Sequence, residues 1–538
     1  MKKLFLLAFT ILSIKHSSFT QEKKSFPIIA NKDHQNARMR YKVVSSNVLD
    51  KQKLTAAFVD EISKLGKDKY ERLAPMILEK SIPEIQEFIS DKKFTYRDLT
   101  LFYLYRIHKY ELNPELSLNA VISLNPDVLK EAAAKDKGKK KGLLYGMPIL
   151  LKDNIGYDNL PTTAGAEVLK DNRTKDAFIV KRLKSEGTII LGKANLSEWA
   201  YYFCNGCPLG YSAVGGQTMN AYGRMIHESG GSSSGSGASI AANLAVAAVG
   251  SETSGSILSP SSLNSLVGLK PTVGLLSRSG IVPISSTLDT PGPMTKNVTD
   301  NAILLEAMLG YDAKDSRYPK GSSPKDFVKE LKNYDLKGKR FGAFKNLMQQ
   351  ANYAKMVNIL KENGATVVEL ENTNPKMDGF RSILSLDMKK DLPEYLNAYA
   401  SSNISVKSVK DVMEYNLKDE FLRAPYGQEL FEGIYKDTLS DANFEKLKKT
   451  VHENAVSYFD GHFKENKLDF VLSINNTHAG VAAAAFYPCL TLPMGYLEQD
   501  QPQGLTLIAP SWSEKSLLQA AYAIEKLSKA RKIPENYK

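Results

Sequence analysis

The chain has 538 residues, 43% of them hydrophobic and 24% charged, close to a globular average, which excludes a mainly disordered, fibrous or multi-spanning membrane protein. Its net charge of +12 forms no obvious surface: the one dense run, Lys135, Lys137, Lys139, Lys140 and Lys141, is broken by Asp136 and Gly138 and has no interleaved aromatic residue. The run reads as a solvated connection, so no nucleic-acid partner is expected, and three cysteines are too few for a disulfide scaffold or a structural zinc site.

Met1-Lys2-Lys3, the eleven-residue apolar run Leu4 to Ile14 and the small residues Ser17 to Thr20 read as a secretory signal over residues 1–20. The run is too short to span a membrane, so a secreted or periplasmic protein with no membrane span is expected. Residues 21–76 are polar and lysine-rich, with Leu54, Phe58, Ile62 and Leu65, then Tyr70, Leu73 and Ile77, at helical spacing. They predict a helical N-terminal extension ahead of a main domain over 77–538. From Ile82 to Ile107 the apolar spacing predicts two amphipathic helices joined near Lys92 to Tyr96. Beyond them, the runs Met147–Leu151, Thr188–Leu191, Ala245–Val249, Arg340–Phe344, Thr366–Leu370 and Phe470–Ile474 alternate with helical stretches, the pattern of an α/β protein with helices on both faces of a sheet. Residues 380–460 carry no strand signal and predict a helical cap.

The chemically unusual stretch runs from Gly230 to Pro260, GGSSSGSGASIAANLAVAAVGSETSGSILSP, where Ser/Gly clusters enclose an apolar segment from Ala238 to Val249. A flexible linker would not enclose a helix-forming segment. Each cluster therefore reads as a tight turn, one at a helix start and one after a strand end, where outward backbone N–H groups stabilise anionic oxygen. Two plain surface turns satisfy the composition equally well.

A nucleophilic serine needs a base. Gly231-Ser232-Ser233-Ser234-Gly235 formally matches a G-x-S-x-G elbow, but Arg224 to Ser229 are polar where an elbow needs an apolar strand, and His478 reads as a loop cap. Lys152 is the other candidate, because it closes the apolar run from Met147. A lysine titrates near ~10.4 in water, so acting as a base near pH 8 requires burial to lower its pKa by roughly two units, about 3 kcal/mol. Taken alone, Lys152 also fits a snorkelling residue at a strand end.

Gly146 to Asn154, GMPILLKDN, the GGSSSG at Gly230 to Gly235, and GSETSGSILSP followed by Val267-Gly268-Leu269-Lys270-Pro271-Thr272 together resemble the amidase signature family of serine hydrolases. The resemblance extends from about Ser81 to the carboxy terminus and includes Asp289-Thr290-Pro291-Gly292-Pro293-Met294. The segments Asn195 to Ala200 and Val214 to Thr218, with Glu252, are most similar to bacterial peptide amidases. The resemblance implies a single α/β/α sandwich with a mixed sheet. It also implies a Ser-cisSer-Lys triad with Ser256 as nucleophile, Ser232 in a cis peptide bond as proton relay and Lys152 as base. Backbone N–H groups of Thr253, Ser254, Gly255 and Ser256 would form the oxyanion hole, Asp289 would support the site from behind, and neither metal nor organic cofactor is called for. The implied activity is an exported amide hydrolase acting on carboxamides, C-terminally amidated peptides above all. The alternatives are a broader acyl-amide or ester hydrolase and a catalytically silent binding protein.

Two residues depart from the family pattern. Ser254 stands where many members have Gly, and Leu258 where many have an Arg, which argues against the glutamine-deamidating tRNA amidotransferase subunit. Gly187 to Lys193 is one residue short of a P-loop and reads as a plain strand, and Cys204 and Cys207 are spaced for either a local disulfide or a redox motif.

Overall fold

Three of the apolar runs are strands with the expected bounds, Arg340–Phe344, Thr366–Leu370 and Phe470–Ile474; the other three begin and end one to three residues later than expected. The computed structural model describes residues 26–317 and 326–538, so the expected signal segment, residues 1–20, lies outside the described residues. In chain order the strands are β1 Val121–Leu124, β2 Pro148–Lys152, β3 Ile189–Ala194, β4 Tyr211–Ser212, β5 Gly216–Gln217, β6 Ala247–Glu252, β7 Val267–Lys270, β8 Thr290–Thr295, β9 Arg340–Phe344, β10 Thr366–Leu370, β11 Phe470–Ile474, β12 Cys489–Tyr496 and β13 Pro502–Ile508.

All but the β4–β5 hairpin join one eleven-stranded sheet, in the order β1-β3-β2-β6-β8-β7-β12-β13-β11-β9-β10. The sheet is mixed: β2 is parallel to β3 and β6, β9 to β10 and β11, and the remaining pairs are antiparallel. Strand alternation divides the side chains between two cores. Phe470, Leu472 and Ile474 enter one apolar cluster and Val471 the other, as Leu490 and Cys489 do on β12. With both faces covered, the parallel strands β2, β3 and β6 are buried along their whole length. The expected α/β sandwich with a mixed sheet is the observed fold.

The N-terminal extension is only partly helical. Residues 26–53 form turns and short 3₁₀ segments, because Pro27 and a series of Asn, Asp and Ser residues cap and turn the chain. The helix Val59–Ile77 is broken at Gly66, whose φ of 66° lies in the left-handed region, so the two predicted apolar runs lie on either side of the break. Ile62, Leu65, Tyr70, Leu73 and Ile77 then enter the main core, making the extension part of the same packing unit. The two predicted amphipathic helices are Ile82–Ser90 and Tyr96–Glu111. Residues 380–460 form the expected cap, led by the helices Phe380–Ala398 and Asp441–Asn466. Among the described residues, no helix is long and apolar enough to cross a membrane.

Candidate active site

β2 and β6 are parallel neighbours, with Leu151 beside Val249, so Lys152 and the pair Ser251-Glu252 emerge from the same edge of the sheet. Ligands of α/β sheets gather at such carboxyl ends. The helix Ser234–Ala241 returns the chain to β6, which brings the turn before that helix against the turn after the strand. Ser233 N–H donates to the Ser256 carbonyl at 3.1 Å, and Ser233 Oγ donates to the Ser251 carbonyl at 3.0 Å. Glycine permits this approach: a Cβ on Gly230 would lie 2.7 Å from Pro260 Cα, and one on Gly250 2.9 Å from Ser233 Oγ. The Ser/Gly clusters are thus buried contacts between two turns and not a surface linker.

Lys152 is fully buried, and its Nζ donates to Ser232 Oγ at 2.7 Å, Ser251 Oγ at 3.0 Å and the Ser251 carbonyl at 3.1 Å. Burial pushes its pKa down to about 7, against the opposing pull of the Asp289 and Glu252 carboxyls. The Gly231–Ser232 peptide is cis. Ser234 Oγ donates to the Gly230 carbonyl at 2.7 Å, so of the three consecutive serines only Ser232 meets the lysine. Ser256 is joined to this turn through its backbone, and among the described residues its hydroxyl has no protein partner. The structure therefore brings Lys152 and Ser232 into contact and sets Ser256 beside them with a free hydroxyl. Ser251 was not foreseen. It sits at the centre of the polar contacts, accepting from both Lys152 and Asn154 Nδ2, and nothing in a Ser-rich stretch distinguishes it by sequence.

The turn after β6 is held by Glu252. Its buried carboxylate accepts N–H bonds from Gly255 and Ile257, both at 2.7 Å, and from Leu258 at 3.0 Å. This corrects the expected oxyanion hole, because the Gly255 N–H is already committed to Glu252. A buried carboxylate without donors would be far costlier than a lost oxyanion contact. The N–H groups of Thr253, Ser254 and Ser256 have no acceptor among the described residues and remain available. Gly255 takes the left-handed conformation at φ 90°, whereas Ser254 does not have a positive φ and so occupies a position that does not require glycine. Leu258 is fully buried in an apolar cluster with Phe344 and Ala479. Glu252→Ala is expected to lower kcat about 10² to 10³-fold with little change in KM, the size of losing one oxyanion donor, as steady-state ammonia release will show.

Asp289 supports the same turn: its Oδ1 accepts from Thr253 Oγ1 at 2.5 Å and its Oδ2 from the N–H groups of Ile284 and Ser285. Burial raises its carboxyl pKa, against these hydrogen bonds. A cavity of about 280 Å³ adjoins the turn, lined by Asn154, Ser251, Thr253 and Asp289 on one side and by Asp391 and Tyr395 of the cap on the other. A larger cavity of about 760 Å³ lies at β1 under the N-terminal segment, with Lys51, Glu111 and Asn119 in its wall and no triad residue.

Near Ser232, the segment 201–211 packs on the cap. Leu430 N–H donates to the Phe203 carbonyl at 3.1 Å, Tyr202 OH pairs with Ser385 Oγ at 2.7 Å, and Cys204 and Cys207 are joined as a disulfide. His478 pairs with Ser473 Oγ at 2.6 Å and stacks on Phe344, as a residue shaping its loop does. Lys193, at the end of the P-loop-like run, is buried on β3 against Asp153, the Ile155 carbonyl and Thr162 Oγ1, which leaves it no access to phosphate.

Glu198 is buried, and its carboxyl accepts from the Ala213 N–H, 2.8 Å away. Burial raises its carboxyl pKa well above the usual range. An acid with a raised folded pKa stabilises the fold below its unfolded value, near 4.5, and loses that contribution as pH rises. Glu198→Gln is therefore expected to raise Tm over wild type at pH 8, with the two proteins converging near pH 4 in thermal unfolding.

These elements have counterparts in known proteins. The family model described as Amidase matches residues 98–479. A probable amidase of Arabidopsis thaliana is 36% identical over 479 residues, covering 85% of this chain and 92% of the relative. The crystal structure of an amidase family protein from Bacillus anthracis superposes with a TM-score of 0.86 at 36% identity, covering 91% of this chain and 100% of that one. The peptide amidase from Stenotrophomonas maltophilia superposes with a TM-score of 0.80 at 35% identity, covering 85% and 99%. On this evidence, and on a mixed sheet that carries Lys152 and the two serine turns at one edge, the chain belongs to the amidase signature family of amide hydrolases.

Proposed function

We propose that this amidase is an exported enzyme that releases ammonia from the carboxamide ends of peptides through an acyl-enzyme on Ser256. The observation that carries the reading is a fully buried lysine with a pKa of about 7, hydrogen-bonded to Ser232 beside the free hydroxyl of Ser256. Neutral Lys152 takes the Ser232 proton as Ser232 takes that of Ser256, and the Ser256 oxygen attacks the amide carbonyl. The N–H groups of Thr253, Ser254 and Ser256 hold the oxyanion. The proton on Lys152 returns through Ser232 to the departing nitrogen, and water releases the acyl group by the same relay. Likeness to a peptide amidase supports peptide carboxamides as substrates. The apolar run near Met1 and the Cys204–Cys207 disulfide support export, since disulfides persist in oxidising compartments.

The test is ammonia release from C-terminally amidated peptides beside glutamine and simple aliphatic amides, with Ser256→Ala as blank. Release from peptides that vanishes in the variant is the expected result. Release from simple amides alone would reject the peptide class, and none from any substrate would favour a silent binding protein. Cell fractionation tests export: expressed with residues 1–20 in place, the chain should accumulate outside the cytoplasm.

A further inference from the structure

The cavity beside the catalytic turn has an unbalanced wall. Its charged lining residues are four carboxylates, Asp289, Asp315, Asp391 and Glu394, against two cations, Arg278 and Lys314. Arg278 is already spent on Asp315, with Nε 2.9 Å from Oδ2 and Nη2 bonded to Oδ1. Lys314 is exposed at the rim, whereas Asp391 is buried on the helix Phe380–Ala398 and accepts from the backbone N–H and the side chain of Ser286. Burial and the neighbouring Asp387 push the Asp391 pKa up to about 7, outweighing the Ser286 hydrogen bonds and the charge of Arg278, which is bonded to Asp315.

The wall also has an unused acceptor. Asn154 is 2% exposed; its Nδ2 donates to Ser251 Oγ and the Val282 carbonyl, while its amide oxygen is buried with no partner among the described residues. Tyr395 and Tyr399, stacked with centroids 5.5 Å apart, add aromatic surface of the kind that cations favour. Thr253 belongs both to this wall and to the turn with the free N–H groups, so a group in the cavity and a carbonyl at Ser256 can belong to one substrate. About 280 Å³ accommodates a residue-sized group and not a folded partner.

We infer that this cavity is the subsite for a positively charged end of the substrate, so the enzyme prefers carboxamides bearing an α-ammonium or a basic side chain near the scissile amide. The inference rests on the proposed reading of the site as amidase machinery.

The test compares amino-acid and dipeptide amides carrying a free α-ammonium with their N-acetylated counterparts, in wild type, Asp391→Asn and Glu394→Lys. Wild type is expected to favour the ammonium form in kcat/KM by at least about tenfold, and each variant to reduce that ratio severalfold, mainly through KM. A ratio of one or below in wild type, or a ratio unchanged in both variants, would overturn the inference. Glu394 is exposed, so its variant remains informative if Asp391→Asn does not fold. Calorimetric binding of each pair to Ser256→Ala separates the two claims. Tighter binding of the ammonium form supports the subsite even if no ammonia is ever released, and equal or weaker binding rejects it even if both forms are hydrolysed.

Discussion

Ser256→Ala is expected to reduce kcat for ammonia release by about 10⁶-fold, the scale seen when a serine hydrolase loses its nucleophile, with substrate affinity retained. The expectation follows from how each serine is used. Ser232 is bonded to Lys152, Ser233 to the Ser251 carbonyl and Ser234 to the Gly230 carbonyl, which leaves Ser256 as the free hydroxyl beside the unpaired N–H groups. Stopped-flow and mass-spectrometric detection of an acyl adduct on wild type, absent from the variant, would confirm the assignment. Residual turnover above about one part in a thousand would move the nucleophile elsewhere.

Lys152→Met is expected to cost at least about 10⁴-fold and, more tellingly, to abolish the acidic limb of the pH profile. The working form is the neutral amine, and its pKa lies near 7, so wild-type kcat/KM should fall tenfold per unit below about pH 7 and level off above pH 8. Lys152→Arg, charged at every pH, should be as inactive as Met. Asp391 also titrates near 7, which makes the comparison decisive: a limb that persists in Lys152→Met and disappears in Asp391→Asn would belong to the carboxylate. Folding supplies the control. With a folded pKa below the ordinary 10.5, Lys152 binds its proton more tightly in the unfolded chain and so destabilises the fold at neutral pH. Lys152→Met should therefore unfold at no lower temperature than wild type, and loss of activity with loss of structure would count against a catalytic role.

Glu252 and Asp289 show why one catalytic turn needs two buried acids. Each carboxylate accepts hydrogen bonds from backbone N–H groups, and Asp289 also from a hydroxyl of the turn, so each fixes main-chain positions around the catalytic serine. The negative charge they bring opposes the effect of burial on the lysine, and burial prevails. A base poised near neutrality is the result.

The strands with apolar runs were legible in the sequence because a strand covered on both faces must be apolar throughout, as Phe470–Ile474 is and Arg340–Phe344 is beyond Arg340, while Thr366–Leu370 is a partly exposed edge strand that Val367, Val368 and Leu370 were enough to mark. β8 was not legible, since Pro291 and Pro293 argue against a central strand. Two residues apart, both prolines turn their missing donors toward the same side of the strand, so the other side keeps its N–H groups. Lys152 and the two serine turns could be read as candidates from residue type and spacing, and the family resemblance ordered them into a triad. Position in space decided what spacing could not: that Ser232 meets Lys152, that Ser251 bridges Lys152 and Asn154, that Gly255 gives its N–H to Glu252, and that Asp391 crosses from the cap to the cavity beside Thr253. The sequence alone determined which chemistry was present, because residue type sets what a group can donate, accept or attack. Only the tertiary structure decided which groups are free to use it, because a buried polar atom takes its partners from whatever the fold brings near, and Ser251 is 99 residues from the lysine it touches.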